Sequence, residues 1–358
     1  MGFVDMIFVR LPTLAIVDVT GKDAPRITNN LCTANVMQLA PGQGREAFVT
    51  EVRGKAIGHV CIFRTVDGVR MIGAGACENP TITNQAIAIA AHLDRYTIRE
   101  QSVPEDRSDR FAGIVLDGEL AARVAGSRLS ESEVQEAGAS KTLCSQAGAW
   151  EQVAWQAYQM PWWQGGSVLL LVDSNAVDAA THFLVSAGGV EASEAEFHRR
   201  RIENRFPWYG VDIDGSNLPQ EADRDDLAIS FTKGCYLGQE TIARLDSLGQ
   251  VQKKLVLWNL TSSVLPAANT ELRHGDKLVG RLTSVAACEI ENRLIEEQFI
   301  ALGFARRSHF EAGSMAIGTN ADGSHINATV SQQDDTISPP HPNPLPRSTG
   351  GEGTMNAS

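Results

Sequence analysis

The sequence has few cysteines, no long apolar run and no excess of positive charge. Its six cysteines among 358 residues form no C-x-x-C pair, so we predict no metal site built from a local cysteine motif. No apolar stretch approaches the roughly 18 residues that a membrane-spanning helix needs, and no membrane segment is expected. The first residues lack the basic start of a signal peptide, so we expect a cytoplasmic protein with free thiols.

Acidic residues outnumber basic ones by 43 to 31, which gives a net charge of −12. Affinity that depends on broad contact with phosphates needs the opposite balance, so nucleic acid is not an expected partner. A local basic pocket for a small anion remains compatible with this charge. The run His198-Arg199-Arg200-Arg201 is a weak nucleic-acid signal, and we interpret it as a solvated helix face.

The chain divides into three regions by composition. The C-terminal stretch has no aromatic residue and contains the proline-rich segment 338–346, so residues 316–358 are predicted to be a disordered tail. Alternating helix and strand signals predict an α+β body over residues 3–250, made of one subdomain or two. Strand-like stretches then predict a small, mostly β domain over residues 251–315.

Two local signals are specific enough to place elements. Asp67-Gly68 predicts the hairpin turn between strands at 57–64 and 69–74. Asp23 is predicted to cap a helix that runs to about Leu31.

Two aromatic clusters, Trp162-Trp163 and Phe206-Pro207-Trp208-Tyr209, stand out in a chain with few aromatic residues. Such rings can form the walls of a pocket for a planar heterocycle. Packing in the core is the commoner use of any single ring.

The most informative segment is Lys233-Gly234-Cys235-Tyr236-Leu237-Gly238-Gln239-Glu240. Its two glycines permit a sharp turn or a close approach, and Glu240 suits the first turn of a helix that opens at Gln239. Lys233 and Arg244 lie near Cys235 in sequence, and a positive neighbour favours the reactive thiolate. The alternative is that Cys235 is a buried small apolar residue, which is the common fate of a free cysteine.

This segment closely resembles the signature K-G-C-Y-x-G-Q-E of the YgfZ family of folate-binding proteins. That family shares its fold with the T-protein of the glycine cleavage system, a tetrahydrofolate-dependent aminomethyltransferase. Further stretches resemble the same superfamily in the same order, namely residues 21–24, 31–36, 39–44, 53–55, 201–204, 280–284 and 300–304. The resemblance implies an α+β, aminomethyltransferase-like folate-binding fold with a small C-terminal β-barrel.

The resemblance also implies a site for tetrahydrofolate as cofactor. Glu203 matches the family's pterin-binding carboxylate, and a carboxylate that faces two adjacent N–H donors makes a strong charge-assisted contact. The residues alone favour a different interpretation of Glu203, a solvated helix residue beside three arginines, and only the resemblance favours the site. Lys233 and Arg244 are candidates for binding the anionic tail of the folate. The remaining predicted folate-site residues come from the same motif: Tyr236, Gln239 and Glu240.

One departure from the family pattern bears on activity. The aminomethyltransferases carry a carboxylate after the K-G-R element, whereas residues 55–60 contain none and His59 is the nearest ionisable residue. Loss of a positioned general base typically costs about 10²–10⁴ in rate. We therefore expect a YgfZ-type protein whose Cys235 thiol acts with iron–sulfur client or assembly proteins, and indirectly in tRNA modification. The alternative is a folate-dependent aminomethyltransferase with His59 as its base, and the sequence leaves open whether the chain is an enzyme.

Overall fold

The computed structural model of the protein describes residues 6–332, apart from residues 12, 76–83, 127–141, 152, 165, 250 and 291–292. Eleven of the described strands form one sheet: β1 (Ile7–Leu11), β2 (Leu14–Thr20), β3 (Gln43–Thr50), β4 (Ala56–Arg64), β5 (Gly68–Ala74), β6 (Val103–Asp106), β7 (Phe111–Asp117), β8 (Leu143–Trp150), β9 (Val153–Met160), β10 (Ser167–Asp173) and β11 (Val190–Glu191). The described helices are α1 (Ala24–Leu31), α2 (Gln85–Tyr96), α3 (Gly118–Ala125), α4 (Val177–Ser186), α5 (Glu194–Glu203), α6 (Asp225–Ala228) and α7 (Gln239–Leu248).

The strand order of the sheet is β11-β1-β7-β10-β9-β8-β3-β4-β5-β2-β6. Its two halves meet where β3 pairs with β8, at Gly44 and Leu143. The largest buried cluster takes side chains from both halves, such as Phe48 on β3 and Leu169 on β10. A second cluster packs α1 and α2 against one half, and a third packs α3 and α4 against the other. Each half of the sheet therefore has an apolar face toward the shared core and another toward its own helices.

The turn between β4 and β5 lies at the predicted position. β4 ends at Arg64, β5 begins at Gly68, and Thr65 N donates to Gly68 O over 3.0 Å. A Cβ atom on Gly68 would lie 1.9 Å from Val19 O, so the neighbouring strand leaves room only for glycine.

Asp23 is the N-cap residue of α1 and the helix runs to Leu31 as predicted, but a capping bond from its side chain is not formed. The Asp23 side chain makes no capping bond to α1, and Oδ2 instead accepts from Gln101 N over 2.8 Å. A distant segment of backbone therefore takes the hydrogen bond that the local sequence pattern assigns to the helix.

Six strands form a closed barrel after the body. They are β12 (Lys253–Thr261), β13 (Glu271–His274), β14 (Lys277–Ile290), β15 (Arg293–Arg306), β16 (Met315–Thr319) and β17 (His325–Val330), and β17 pairs with β12 to close it. The barrel therefore continues past residue 315.

The predicted start of a disordered tail at residue 316 is thus wrong. Strands β16 and β17 alternate exposed residues with buried small or aliphatic ones, such as Ala316, Ile326 and Ala328. Their composition is poor in large apolar residues, but the period of two suffices to fill the tapering interior of a small barrel. Residues 333–358 of the predicted tail lie outside the described residues.

Candidate functional site

The K-G-C-Y-x-G-Q-E segment forms an irregular loop that leads into helix α7. Cys235 is exposed in this loop, so the alternative of a buried apolar cysteine is wrong. A Cβ atom on the preceding Gly234 would meet nothing within 4 Å. The thiol therefore stands at the surface, beside open space.

Lys233 points inward from this loop and is buried. Its Nζ donates to three backbone carbonyls, those of Asn29 at 2.6 Å, Cys32 at 2.9 Å and Ala34 at 2.6 Å. The last carbonyls of a helix lack partners within the helix, and Lys233 satisfies one of them in α1 together with two carbonyls of the segment that follows the helix. An ammonium has three donors, so the predicted contact of Lys233 with a folate tail would find no free N–H.

Tyr236 and Gln239 make contacts that hold the loop in place. The Tyr236 ring is buried in the central cluster and lies 4.9 Å from Lys233 Nζ, measured to the ring centroid. Tyr236 N donates to Gln239 Oε1 over 3.3 Å. The two residues therefore join Lys233 in fixing the loop that presents Cys235.

The turn between β3 and β4 closes against the same loop. Thr50 Oγ1 donates to Leu237 O over 2.7 Å. Gly238 has a φ of +82°, and a Cβ atom there would lie 2.5 Å from Glu51 O and 2.7 Å from the Cα of Gly54. Residues 31–36 and 53–55, which resemble the superfamily in sequence, therefore meet the motif loop 233–240 in space.

Glu240 and Arg244 lie one turn apart on α7, and both are exposed. Helix α7 begins at Gln239 as predicted, and Glu240 lies in its first turn, where a negative charge favours the helix dipole. No ion pair joins Arg244 to another residue in the described part of the chain. Arg244 is thus a surface cation near the loop.

Glu203 is the last residue of α5 and pairs with Arg199 one turn earlier. Its side chain is 35% exposed, and burial raises the pKa of its carboxyl above the ordinary value despite the nearby Arg199 charge. Arg199 and Arg200 both bind Glu196, and the Arg200 guanidinium lies 5.1 Å from the Trp163 ring. Arg199 and Arg200 therefore pair within the helix, and the interpretation of this run as a solvated helix face is wrong for Arg201, which is 2% exposed.

His59 lies in a separate, buried network. Its Nε2 donates to Glu46 Oε1 over 2.8 Å, and its ring is stacked between Phe48 at 4.6 Å and Phe206 at 5.0 Å. Arg224 binds both oxygens of the same Glu46 carboxylate. Burial alone would raise the pKa of Glu46, but the Arg224 charge and the hydrogen bonds of Arg224 and His59 hold it at about 2.

Glu46 and Arg224 are residues that the sequence analysis missed. The available signal was a glutamate at the centre of β3, directly before the apolar run 47–49. His59 Nδ1 is buried and has no hydrogen-bond partner among the described residues. Glu46 on the adjacent strand thus places a carboxylate against His59, and Arg224 pairs with both oxygens of that carboxylate.

The aromatic clusters pack in the core, as the commoner of the two interpretations holds. The side chains of both clusters are almost fully buried: Trp162 is 1% exposed, Trp163 3%, Phe206 5%, Trp208 8% and Tyr209 7%.

In the described residues, no three His, Cys, Asp or Glu side chains are placed to hold a metal ion. None of the described helices is long and apolar enough to cross a membrane.

Comparison with known proteins agrees with the motif. The chain is 25% identical over 293 residues to the tRNA-modifying protein YgfZ of Shigella dysenteriae, across 80% of this chain and 82% of that protein. It is 26% identical over 301 residues to the tRNA-modifying protein YgfZ of an Escherichia coli strain, across 82% and 84% of the two chains. The resemblance to the YgfZ family is confirmed. No protein-family model matches the chain.

The fold also has a solved counterpart. Glycine cleavage system aminomethyltransferase T from Bartonella henselae superposes with a TM-score of 0.71, at 13% identity, over 92% of this chain and 85% of that one. At this identity the likeness shows the fold alone. The predicted aminomethyltransferase-like fold with a C-terminal β-barrel is confirmed, and the YgfZ-like motif loop lies on the body of that fold.

Proposed function

We propose that this chain is a tetrahydrofolate-binding protein of the YgfZ type. It acts through the Cys235 thiol, together with iron–sulfur client or assembly proteins, in the assembly or repair of their clusters. Its effect on tRNA modification is then indirect, through enzymes that carry such clusters. A single thiol cannot hold a cluster alone, so the proposal requires a partner or a redox role for Cys235.

The exposure of Cys235 on a loop whose flanking side chains are buried is the observation that carries the proposal. Lys233 and Tyr236 on either side of it are buried and make specific contacts, while the thiol itself faces solvent. Reactive cysteines need access, and structural cysteines are commonly buried. A fold that fixes the flanking residues and leaves the thiol open is suited to chemistry with a second protein.

The residues present fit a reduced folate in part. Glu203 is a partly exposed carboxylate whose raised pKa reflects desolvation, and it would receive the N–H donors of the pterin ring. Arg244 is a surface cation that suits an anionic tail. Lys233 does not fit that role, because its three donors are bound to backbone carbonyls. When bound, the folate would supply a one-carbon carrier or a redox-active ring.

The shared fold makes an aminomethyltransferase the second candidate. Its proposed base, His59, has a side chain only 1% exposed, and its Nε2 is bound to Glu46. The Glu46 carboxylate is in turn paired on both oxygens with Arg224. A base that must meet a substrate needs a position within hydrogen-bond reach, so this burial weighs against the transferase.

Complementation of a strain that lacks its own YgfZ protein tests the thiol role. Cys235→Ala is expected to leave the activity of an iron–sulfur client enzyme at the level of the empty vector. Cys144→Ala, which changes a partly buried cysteine on β8, is the matched control and should restore activity like the wild type. Full restoration by Cys235→Ala would show that the thiol has no such role.

Calorimetric titration with reduced folates tests the ligand. Glu203→Gln should weaken binding by at least about tenfold, because a charge-assisted contact becomes a neutral one. Glu194→Gln, at the other end of the same helix, should bind like the wild type. Equal affinities for Glu203→Gln and wild type would place the pterin elsewhere, and production of methylene-tetrahydrofolate with glycine-cleavage partners would favour the transferase.

A further inference from the structure

Arg201 joins three distant parts of the chain at the end of α5. Its Nε donates to His198 Nδ1 over 2.7 Å, its Nη1 to Asp212 Oδ2 over 2.7 Å, and its Nη2 to Ser284 Oγ over 2.8 Å. The Arg201 side chain is 2% exposed and that of Asp212 is 0% exposed. A fully buried ion pair therefore connects the helix, the loop that follows it and the barrel.

Two hydroxyl groups of the barrel complete this network. Asp212 Oδ1 accepts from Thr283 Oγ1 over 2.5 Å and from Ser284 Oγ over 2.6 Å. Successive residues of a regular strand point to opposite faces, so two adjacent hydroxyls would not normally reach one oxygen. The pairing of β14 with β15 shifts between Leu282 and Ser284, and this bulge turns both hydroxyls toward Asp212.

The network fixes the backbone on either side of Glu203. Arg201 precedes Glu203 by two residues, and Arg201 Nη1 also donates to Phe206 O over 3.2 Å. Phe206 N in turn donates to Arg201 O over 2.8 Å. The backbone on both sides of Glu203 is thus fixed by Arg201, and Arg201 is fixed by a carboxylate that the barrel holds.

Stability alone does not explain this arrangement. Replacing a buried ion pair by apolar residues of similar size is often neutral or stabilising, so such a pair is weak evidence for a stabilising role. The bonds here are directional, and they hold the helix end in one orientation relative to the barrel. Orientation matters most for a side chain that must meet ligand donors, which is the role proposed for Glu203.

We propose that Arg201 and Asp212, closed by Thr283 and Ser284 of the barrel, form a positioning clamp for Glu203. Through this clamp the barrel sets the affinity of the Glu203 site for a planar heterocycle with adjacent N–H donors, the class that includes reduced pterins. This inference rests on the proposed folate-binding function. Arg201 is a positioning residue in it, because it acts through Glu203 and not on the ligand.

The test uses the full chain with Thr283→Val and Ser284→Ala combined, which removes both barrel hydroxyls and keeps the Arg201–Asp212 pair. Hydrogen exchange at the amides of residues 204–206 reports the clamp without any ligand, and calorimetry with tetrahydrofolate reports affinity. We expect faster exchange at these amides and about tenfold weaker binding, since hydrogen bonds to a charged group are among the stronger ones. Ser284→Thr, which keeps a hydroxyl, should recover part of the affinity.

The matched control is Ile326→Ala, which thins the barrel core at a residue outside the clamp. It should lower the melting temperature but leave exchange at residues 204–206 and the affinity unchanged. Faster exchange with wild-type affinity in the clamp variant would overturn the positioning role while leaving folate binding intact. Absence of tetrahydrofolate binding by the wild type would instead overturn the proposed function, and the affinity claim with it.

Discussion

Arg224 Nε lies 2.7 Å from Glu46 Oε1, and the two side chains are only 7% and 4% exposed. This pair joins the centre of strand β3 to the segment that precedes the cysteine motif. His59 shares the same carboxylate oxygen. This buried charge pair thus links two distant parts of the body, and removing one partner should lower the stability of the protein.

Arg224→Met should destabilise the protein by about 3–5 kcal/mol, because it leaves Glu46 charged, buried and without its cation. Urea unfolding of the single variant and of Glu46→Leu combined with Arg224→Met measures the effect. The double variant should recover much of the loss, since it buries no unpaired charge. If the double variant is as unstable as Arg224→Met, the lost packing of the arginine and not the orphaned carboxylate is responsible.

Lys233→Met should loosen the cysteine loop as well as the end of α1. Three backbone carbonyls lose a charged donor, and we expect a loss of about 2–4 kcal/mol in the free energy of unfolding. Limited proteolysis should cut the variant between residues 231 and 238 faster than the wild type. Arg244→Met, which removes an exposed cation nearby, serves as the control and should change stability by less than about 0.5 kcal/mol. A Lys233→Met protein as stable and as resistant as this control would contradict the structural role of Lys233.

The sequence predicted the elements whose signals are local. The Asp67-Gly68 turn and the helix opening at Gln239 depend on backbone freedom and charge at single positions, and both lie where predicted. The motif at 233–240 identified the region of the site because its composition is unusual. Contiguous patterns of this kind can be recognised in the sequence without knowledge of the fold.

The rest depends on residues that meet only after folding. Lys233 looked like a ligand-binding cation, but its partners are carbonyls about 200 positions earlier in the chain. Glu46 and Arg224 are 178 positions apart, and no local pattern links them. The last two barrel strands were missed because small residues such as Ala316 and Ala328 fill a barrel interior without raising the apolar content.

Asp225 should make stability fall as pH rises. The pKa of Asp225 is raised from 3.8 to about 7, mainly by burial and to a smaller extent by the charge of Asp223. Between these values the folded state keeps a proton that the unfolded state has lost, so the free energy of unfolding decreases from about pH 4 to pH 7. Asp225→Asn should therefore be more stable than the wild type at pH 8 and no more stable at pH 4. Thermal melts of both proteins across this range, with the exposed Asp276→Asn as control, measure it.

His198 should have the opposite dependence on pH. The pKa of His198 is lowered to about 4, mainly by burial and to a smaller extent by the charge of Arg201. Below pH 6.5 the unfolded state binds a proton that the folded state resists, so stability is lost as pH falls toward 4. In His198→Gln an amide oxygen can still accept from Arg201 Nε, and the loss of stability between pH 6.5 and 4 should be smaller. An unchanged pH profile in this variant would show that another group causes the acid sensitivity.

The two glycines of the motif should differ sharply in their tolerance of alanine. Gly238 has a left-handed φ of +82°, which costs a residue with a Cβ about 1–2 kcal/mol, and its added Cβ would lie 2.5 Å from Glu51 O. The carbonyl belongs to the β3–β4 turn, so the clash would push this turn away from the loop. Gly234 has open space around its Cβ position, and Gly234→Ala should change stability by less than about 0.5 kcal/mol. Chemical unfolding of both variants separates them, and complementation adds a second comparison.

If Gly234→Ala is stable but inactive, access of a partner to the neighbouring Cys235 requires the space beside this glycine. If Gly238→Ala is as stable as the wild type, the close contact between the motif and the β3–β4 turn does not hold the loop.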